Sequence, residues 1–186
     1  MNNESKLALL GYSQKWLDYG ILSLKRLEAD ITDFNKAPYE HNKEHYRAAT
    51  LYHFIDTQDK FTDSQIEEIL ELAEDSCIAH HLFKSPLLSD RQFENFTSYK
   101  YIDSSDFSTE VFARQKLIRL YWQEGATAQV LEESVRQKYG KLQRQLLEEH
   151  LLSLEQIRQL AQNGANKAIR NISSVMLKKA NNTKNL

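Results

Sequence analysis

Apolar positions return at intervals of three and four along most of this chain, the period of a helix with one face turned to a core. Ile66, Ile69, Leu70 and Ala73 keep that spacing and leave Glu67, Glu68, Glu71, Glu74 and Asp75 for the wet face. Leu17, Ile21, Leu24 and Ile31 repeat the pattern nearer the start, and Leu151, Leu154, Ile157, Leu160 and Ala161 repeat it near the end. The pattern predicts an all-α chain of about eight helices. Breakers are scarce in support: 5 Gly and 2 Pro in 186 residues leave few sites for the tight turns that strands require. Pro38 and Pro86 fall where the pattern is interrupted, as expected at helix boundaries.

A helix-start signal recurs. Phe61-Thr62-Asp63-Ser64-Gln65-Ile66, Leu88-Ser89-Asp90-Arg91-Gln92-Phe93 and Leu152-Ser153-Leu154-Glu155-Gln156-Ile157 all read apolar, Ser or Thr, two variable positions, Gln, apolar. This is a capping box: the hydroxyl accepts from the N3 amide, the N3 Gln reaches back, and the flanking apolar pair closes as a staple. Thr127, in Ala126-Thr127-Ala128-Gln129-Val130, is an imperfect copy with its Gln one place early. The copies predict a repeating helical hairpin with an insertion in the third unit.

On these residues the chain resembles the HEAT-like and leucine-rich-variant class of α-solenoids. The best unit is Leu152–Lys179, a capped helix that leads through Asn163-Gly164 into Ala168-Ile169-Arg170. The resemblance spans residues 61–179 and implies stacked hairpins that bind through an extended surface. Residues 1–60 lack the box and read as a helical cap or bundle, within a single all-α domain 1–180 followed by a frayed tail, 181–186. Capping boxes occur in any helical protein, so an irregular helical bundle is the alternative. The inserted stretch Thr97–Asp106 reads as a loop. Tyr99 and Tyr101 serve there either as partner contacts or as pins holding the loop to the helices.

Charge is balanced only in total. Residues 1–110 hold 11 Lys and Arg against 20 Asp and Glu, whereas residues 111–186 hold 13 against 6. Such asymmetry points to a partner recognised electrostatically, or to complementary contact between two copies. The acidic half, centred on Glu67, Glu68, Glu71, Glu74 and Asp75 with Tyr99 and Tyr101 as anchors, would dock a basic protein. The basic final third offers Arg136, Lys141, Arg144, Arg158, Lys167 and Arg170 to nucleic-acid phosphates. Against that stand a pI near 6.3 and an acidic end that would repel a long duplex beyond the footprint.

Reactive chemistry is sparse. His41 and His45 share a helical face but lack the Glu of a zincin box, and no His follows a Glu at the spacing of a helical di-iron site. No metal, cofactor or catalytic residue is assigned. Cys77 follows Asp75 and Ser76, a setting that disfavours a thiolate, and reads as a small packing residue. The five glycines are isolated, so a P-loop is excluded. Apolar runs of about four residues are far below the 18 or so that cross a bilayer. The amino terminus lacks a signal-peptide pattern, and one Cys fits a reducing cytoplasm. The reading that results is a cytoplasmic, non-catalytic helical protein-binding module, in its most specific form a bacterial immunity protein or antitoxin that neutralises a basic toxin. The alternative is a helical-repeat protein that binds nucleic acid through its basic third.

Overall fold

The computed structural model describes residues 2–36, 43–71, 76–149 and 151–183. Pro38, His41, Ala73, Glu74 and Asp75 lie outside them. Every regular element among the described residues is helical, and there are twelve α-helices where the periodicity predicts about eight. The excess has a local cause. The run Leu17 to Ile31 reads as one helix but is two, broken by Gly20 in the left-handed region (φ 72°) and restarted at the Ser23 cap. Two helices of five residues are too short to show a period.

The residues gather into two compact units, Met1–Asp106 and Phe107–Leu186. The expected cap 1–60 and the start of the expected array therefore share one unit. The division falls four residues from the change of charge: 11 Lys and Arg against 19 Asp and Glu precede it, and 13 against 7 follow.

In the first unit, α1 (Asn3–Leu10) packs on α3 (Leu24–Phe34) and on α4 (Lys43–Thr57), with the short α2 (Gln14–Asp18) between α1 and α3 in sequence. α5 (Asp63–Glu71) and α4 both pack on α6 (Ser76–Phe83), and α7 (Asp90–Glu94) runs into a 3-10 turn at Phe96–Ser98. Phe83, fully buried, stacks on Phe93 and meets Phe96, both ring centroids 5.1 Å away. Where α1, α3 and α4 meet, polar side chains are buried together. The Tyr12 hydroxyl donates to Asp30 Oδ2 at 2.7 Å and lies 3.1 Å from Thr50 Oγ1, while Arg26 Nε sits 2.8 Å from Asp30 Oδ1. Burial, above all, pushes the Tyr12 phenol well up.

The second unit comprises α8 (Thr109–Glu124), α9 (Ala128–Arg136), α10 (Gly140–Glu148), α11 (Leu154–Asn163) and α12 (Lys167–Thr183). Its core joins Leu117, Val130, Leu131, Leu142, Leu146, Leu147, Ile157, Leu160 and Ile169, drawn from all five helices. The predicted hairpin of residues 152–179 is present as α11 and α12. Gly164 makes its turn possible: a Cβ there would lie 2.6 Å from the Leu160 carbonyl oxygen and 2.7 Å from Ile169 Cγ2. α12 runs through Thr183, into the stretch expected to fray.

All three predicted capping boxes form. Ser89 with Gln92 and Ser153 with Gln156 bond reciprocally, as do Thr62 and Gln65, and Thr127 accepts from the Val130 amide despite its misplaced Gln. Other expectations fail locally. Leu24, within one expected apolar stripe, and Leu151, at the start of another, are half exposed, and Cys77 is exposed rather than packed.

Two helices end in the same left-handed motif with different residues. After α1, Gly11 (φ 70°) lets the Tyr12 amide reach the Leu7 carbonyl; after α9, Lys138 (φ 50°) does so for Tyr139 and the Ser134 carbonyl. A side chain at such a φ costs about 1 kcal/mol. Lys138→Gly is therefore expected to stabilise the protein by roughly 0.5–1 kcal/mol, read as a higher urea midpoint with unchanged m-value.

Candidate functional site

On α5, Ser64, Glu67, Glu68 and Glu71 follow the i, i+3, i+4, i+7 rule, a polar stripe beside the buried stripe of Ile66, Ile69 and Leu70. Periodicity sends that polar stripe to water. The structure corrects this for Glu68, which is only 3% exposed. Side chains from elsewhere in the unit close over it: Lys15 from α2, Tyr19 just beyond α2, and Lys100 and Tyr101 from the loop after α7. Together they enclose a polar cleft of about 250 Å³. Gln65 braces the arrangement by donating to the Tyr19 carbonyl at 2.8 Å, which ties the start of α5 to the end of α2.

The cleft's electrostatics follow from these neighbours. Lys15 Nζ lies 3.2 Å from Glu68 Oε2 and 3.5 Å from Glu71 Oε2. Its hydrogen bond to Glu68 raises the ammonium above the ordinary lysine range. Glu71 is held below the usual carboxylate range, first by a hydrogen bond from the Tyr101 hydroxyl and then by Lys15. Lys100 Nζ donates to the Tyr101 oxygen at 3.1 Å and is raised by that contact. Glu67 is exposed at the rim. Three carboxylates against two ammonium groups leave the cleft one negative charge in excess.

No family model, curated protein or solved structure matches this chain. The reading of the cleft therefore rests on its own geometry.

The two tyrosines of the 97–106 stretch part company. Tyr99 is half buried and its hydroxyl donates to Asp63 Oδ1 at 3.2 Å, so it pins the loop to α5. Asp63 also receives Arg91 at 2.6 Å and Gln92 at 2.9 Å, and these bonds, Arg91's foremost, hold it below the usual carboxylate range. Burial, with Asp63 opposite, pushes the Tyr99 phenol up to about 12. Tyr101 stays exposed and lines the cleft.

The basic residues of the second unit are largely engaged on their own helices. Arg136 pairs with Glu133, Arg144 with Glu148 at 2.7 Å, and Arg158 with Glu155. Arg170 donates to the Gly164 carbonyl at 2.8 Å, where it caps α11. Lys141 and Lys167 are exposed on different helices. Such exposed local pairs are weak, so they do not forbid phosphate contact, but they dilute the positive field that would drive it.

Among the described residues, no three His, Cys, Asp or Glu side chains converge as metal ligands. His45 is exposed, and His81 pairs with Asp56 at 2.7 Å. No described helix is long and apolar enough to cross a membrane. Trp16 is fully buried against Tyr12, whereas Trp122 is half exposed. Sequence reasoning missed Lys15, Tyr19 and Lys100. None lies on a periodic run or near α5 in the chain, and only folding brings them to it.

Proposed function

We propose that this chain is a non-catalytic helical module that binds another protein, with the acidic cleft of the first unit receiving a basic side chain of the partner. The observation that carries this reading is Glu68: a carboxylate 3% exposed whose ion-pair partner, Lys15, is itself 55% exposed. A buried carboxylate needs a counter-charge, and one that can swing away is open to replacement by a better one. A guanidinium is better, because its planar fork binds carboxylates in two places and sheds water more readily than an ammonium. The unit's net charge of −8 would steer a cationic partner toward this face. The immunity-protein or antitoxin reading, with a basic toxin as partner and the cytoplasm as location, is the specific form of this proposal. The α11–α12 hairpin supports stacked hairpins as its architecture.

The test titrates an amidated tetra-arginine peptide into isotopically labelled protein and follows backbone amide shifts. Shifts concentrated at Glu67, Glu71, Lys100 and Tyr101 are expected. Glu67→Lys with Glu71→Lys should weaken binding at least about tenfold, whereas Glu94→Lys, an exposed change on α7, should leave it nearly intact. Because the Glu71 carboxyl is held below the usual carboxylate range, binding should persist into acid beyond the point at which an ordinary glutamate is protonated and be lost only as Glu71 itself protonates. Shifts scattered over the surface, or equal affinity in the two variants, would refute the proposal.

A further inference from the structure

The cleft on the first unit already contains a cation of the chain's own. Lys15 Nζ bridges Glu68 and Glu71, 3.2 Å from one carboxylate and 3.5 Å from the other, at the place where a partner's cationic group would sit. The Lys15 backbone is fixed on both sides: its amide donates to Ser13 Oγ at 3.2 Å and its carbonyl accepts from the Tyr19 amide at 2.8 Å. The side chain alone can move. At 55% exposure its four-carbon stem can rotate into water without any change in α2. The other ammonium of the cleft, Lys100, is placed differently. It donates to the Tyr101 oxygen at 3.1 Å and lies 4.7 Å from that ring's centroid, where it steadies the rim.

We infer that Lys15 is a tethered competitor, an internal occupant that keeps the cleft closed until a stronger cation displaces it. The inference rests on the reading of the cleft as the receptor for a basic side chain and adds its regulation. A site that is open for only a fraction of the time binds every external ligand more weakly by one common factor, that fraction. The tether holds the Lys15 ammonium against its carboxylates at an effective concentration of roughly millimolar or above. A partner's ammonium therefore replaces like with like and gains nothing. A guanidinium forms paired hydrogen bonds that an ammonium cannot, and it sheds water more readily. Lys15 thus sets a threshold that guanidinium ligands pass and single ammonium groups do not.

The test measures dissociation constants of amidated tetra-arginine and tetra-lysine peptides from the amide shifts of Glu71 and Tyr101. Both peptides carry the same charge, so steering by the acidic unit acts alike on both. Lys15→Met keeps an apolar stem, removes the competitor and should tighten both peptides by the same factor, at least about fivefold. Lys36→Met removes one positive charge outside the cleft and should tighten them less than about twofold. Lys15→Arg ties a guanidinium across the two carboxylates and should weaken both peptides at least about threefold, a readout that stands even where Lys15→Met does not fold. A gain in Lys15→Met no larger than in Lys36→Met, or undiminished binding in Lys15→Arg, would make Lys15 a structural partner of Glu68 and overturn the inference. Gains that differ between the two peptides would mean a reshaped cleft and overturn it equally. In these cases, weakening by Glu67→Lys with Glu71→Lys would still leave the cleft as the binding site, whereas a wild type that binds neither peptide overturns both readings.

Discussion

Asp30→Ala is expected to destabilise the protein by about 3 kcal/mol, the largest effect for a polar residue in the first unit. Asp30 is 5% exposed and joins two groups from separate elements, the Tyr12 hydroxyl and Arg26. Truncation leaves the buried phenol with Thr50 alone and strips Arg26 of its carboxylate. Arg26 is 36% exposed, so water recovers part of its charge and holds the cost below that of a fully stranded ion. A loss of this size in a unit of about one hundred residues lowers Tm by roughly 12–20 °C. Trp16 supplies the readout: its ring centroid lies 5.2 Å from that of Tyr12, and its emission follows unfolding of this unit once Trp122→Phe removes the other indole. Asp30→Asn, which keeps the acceptor for Tyr12 and removes the charge, should fall between the two. A melt of Asp30→Ala within about 3 °C of the parent would contradict the buried network.

Gln143→Ala should cost about the same in the second unit. Gln143 is fully buried and works as a two-ended clip, donating to the Ser134 carbonyl at 2.8 Å and accepting from the Ala165 amide at 2.8 Å. It thereby fastens the end of α9 and the α11–α12 turn to α10. Ser134's carbonyl keeps a second donor, the Tyr139 amide, but the Ala165 amide loses its acceptor. Adding the void left by the truncated side chain gives about 3 kcal/mol. Amide hydrogen exchange across residues 128–169 should accelerate accordingly. Gln143→Glu is the sharper control: it keeps the acceptor for Ala165 and sets a carboxylate oxygen against the Ser134 carbonyl, so Ala165 should stay protected while the α9 end loosens. Unchanged exchange in Gln143→Ala would show that the clip carries little of the unit's stability.

These two residues also mark where sequence reading reached its limit. Helical class, the three capping boxes and the α11–α12 hairpin are legible because each depends on residues within a few positions of one another. Caps whose N3 residue is not Gln or Glu escape the box template: Asn2, Ser13, Ser23, Ser108 and Asn166 each accept from an amide two or three residues on. Polar residues that a second layer of structure covers escape it too. Glu68 stands at a position that its own helix sends to water, and only neighbours distant in the chain bury it. Of the residues read as the acidic face, Glu67, Glu68, Glu71 and Tyr101 meet in one cleft, Tyr99 turns inward, and the lysines that complete the cleft have no local signature.

The near-coincidence of the charge change with the division at residue 106 bears on how the protein behaves in concentrated solution. Each molecule presents an anionic and a cationic region, so close to its pI of about 6.3 the attraction between unlike regions of neighbouring molecules survives even though net charge vanishes. Dissolved salt shields that attraction, so the chain is expected to salt in, with its lowest solubility in dilute buffer near its isoelectric pH, which a solubility series against salt would check.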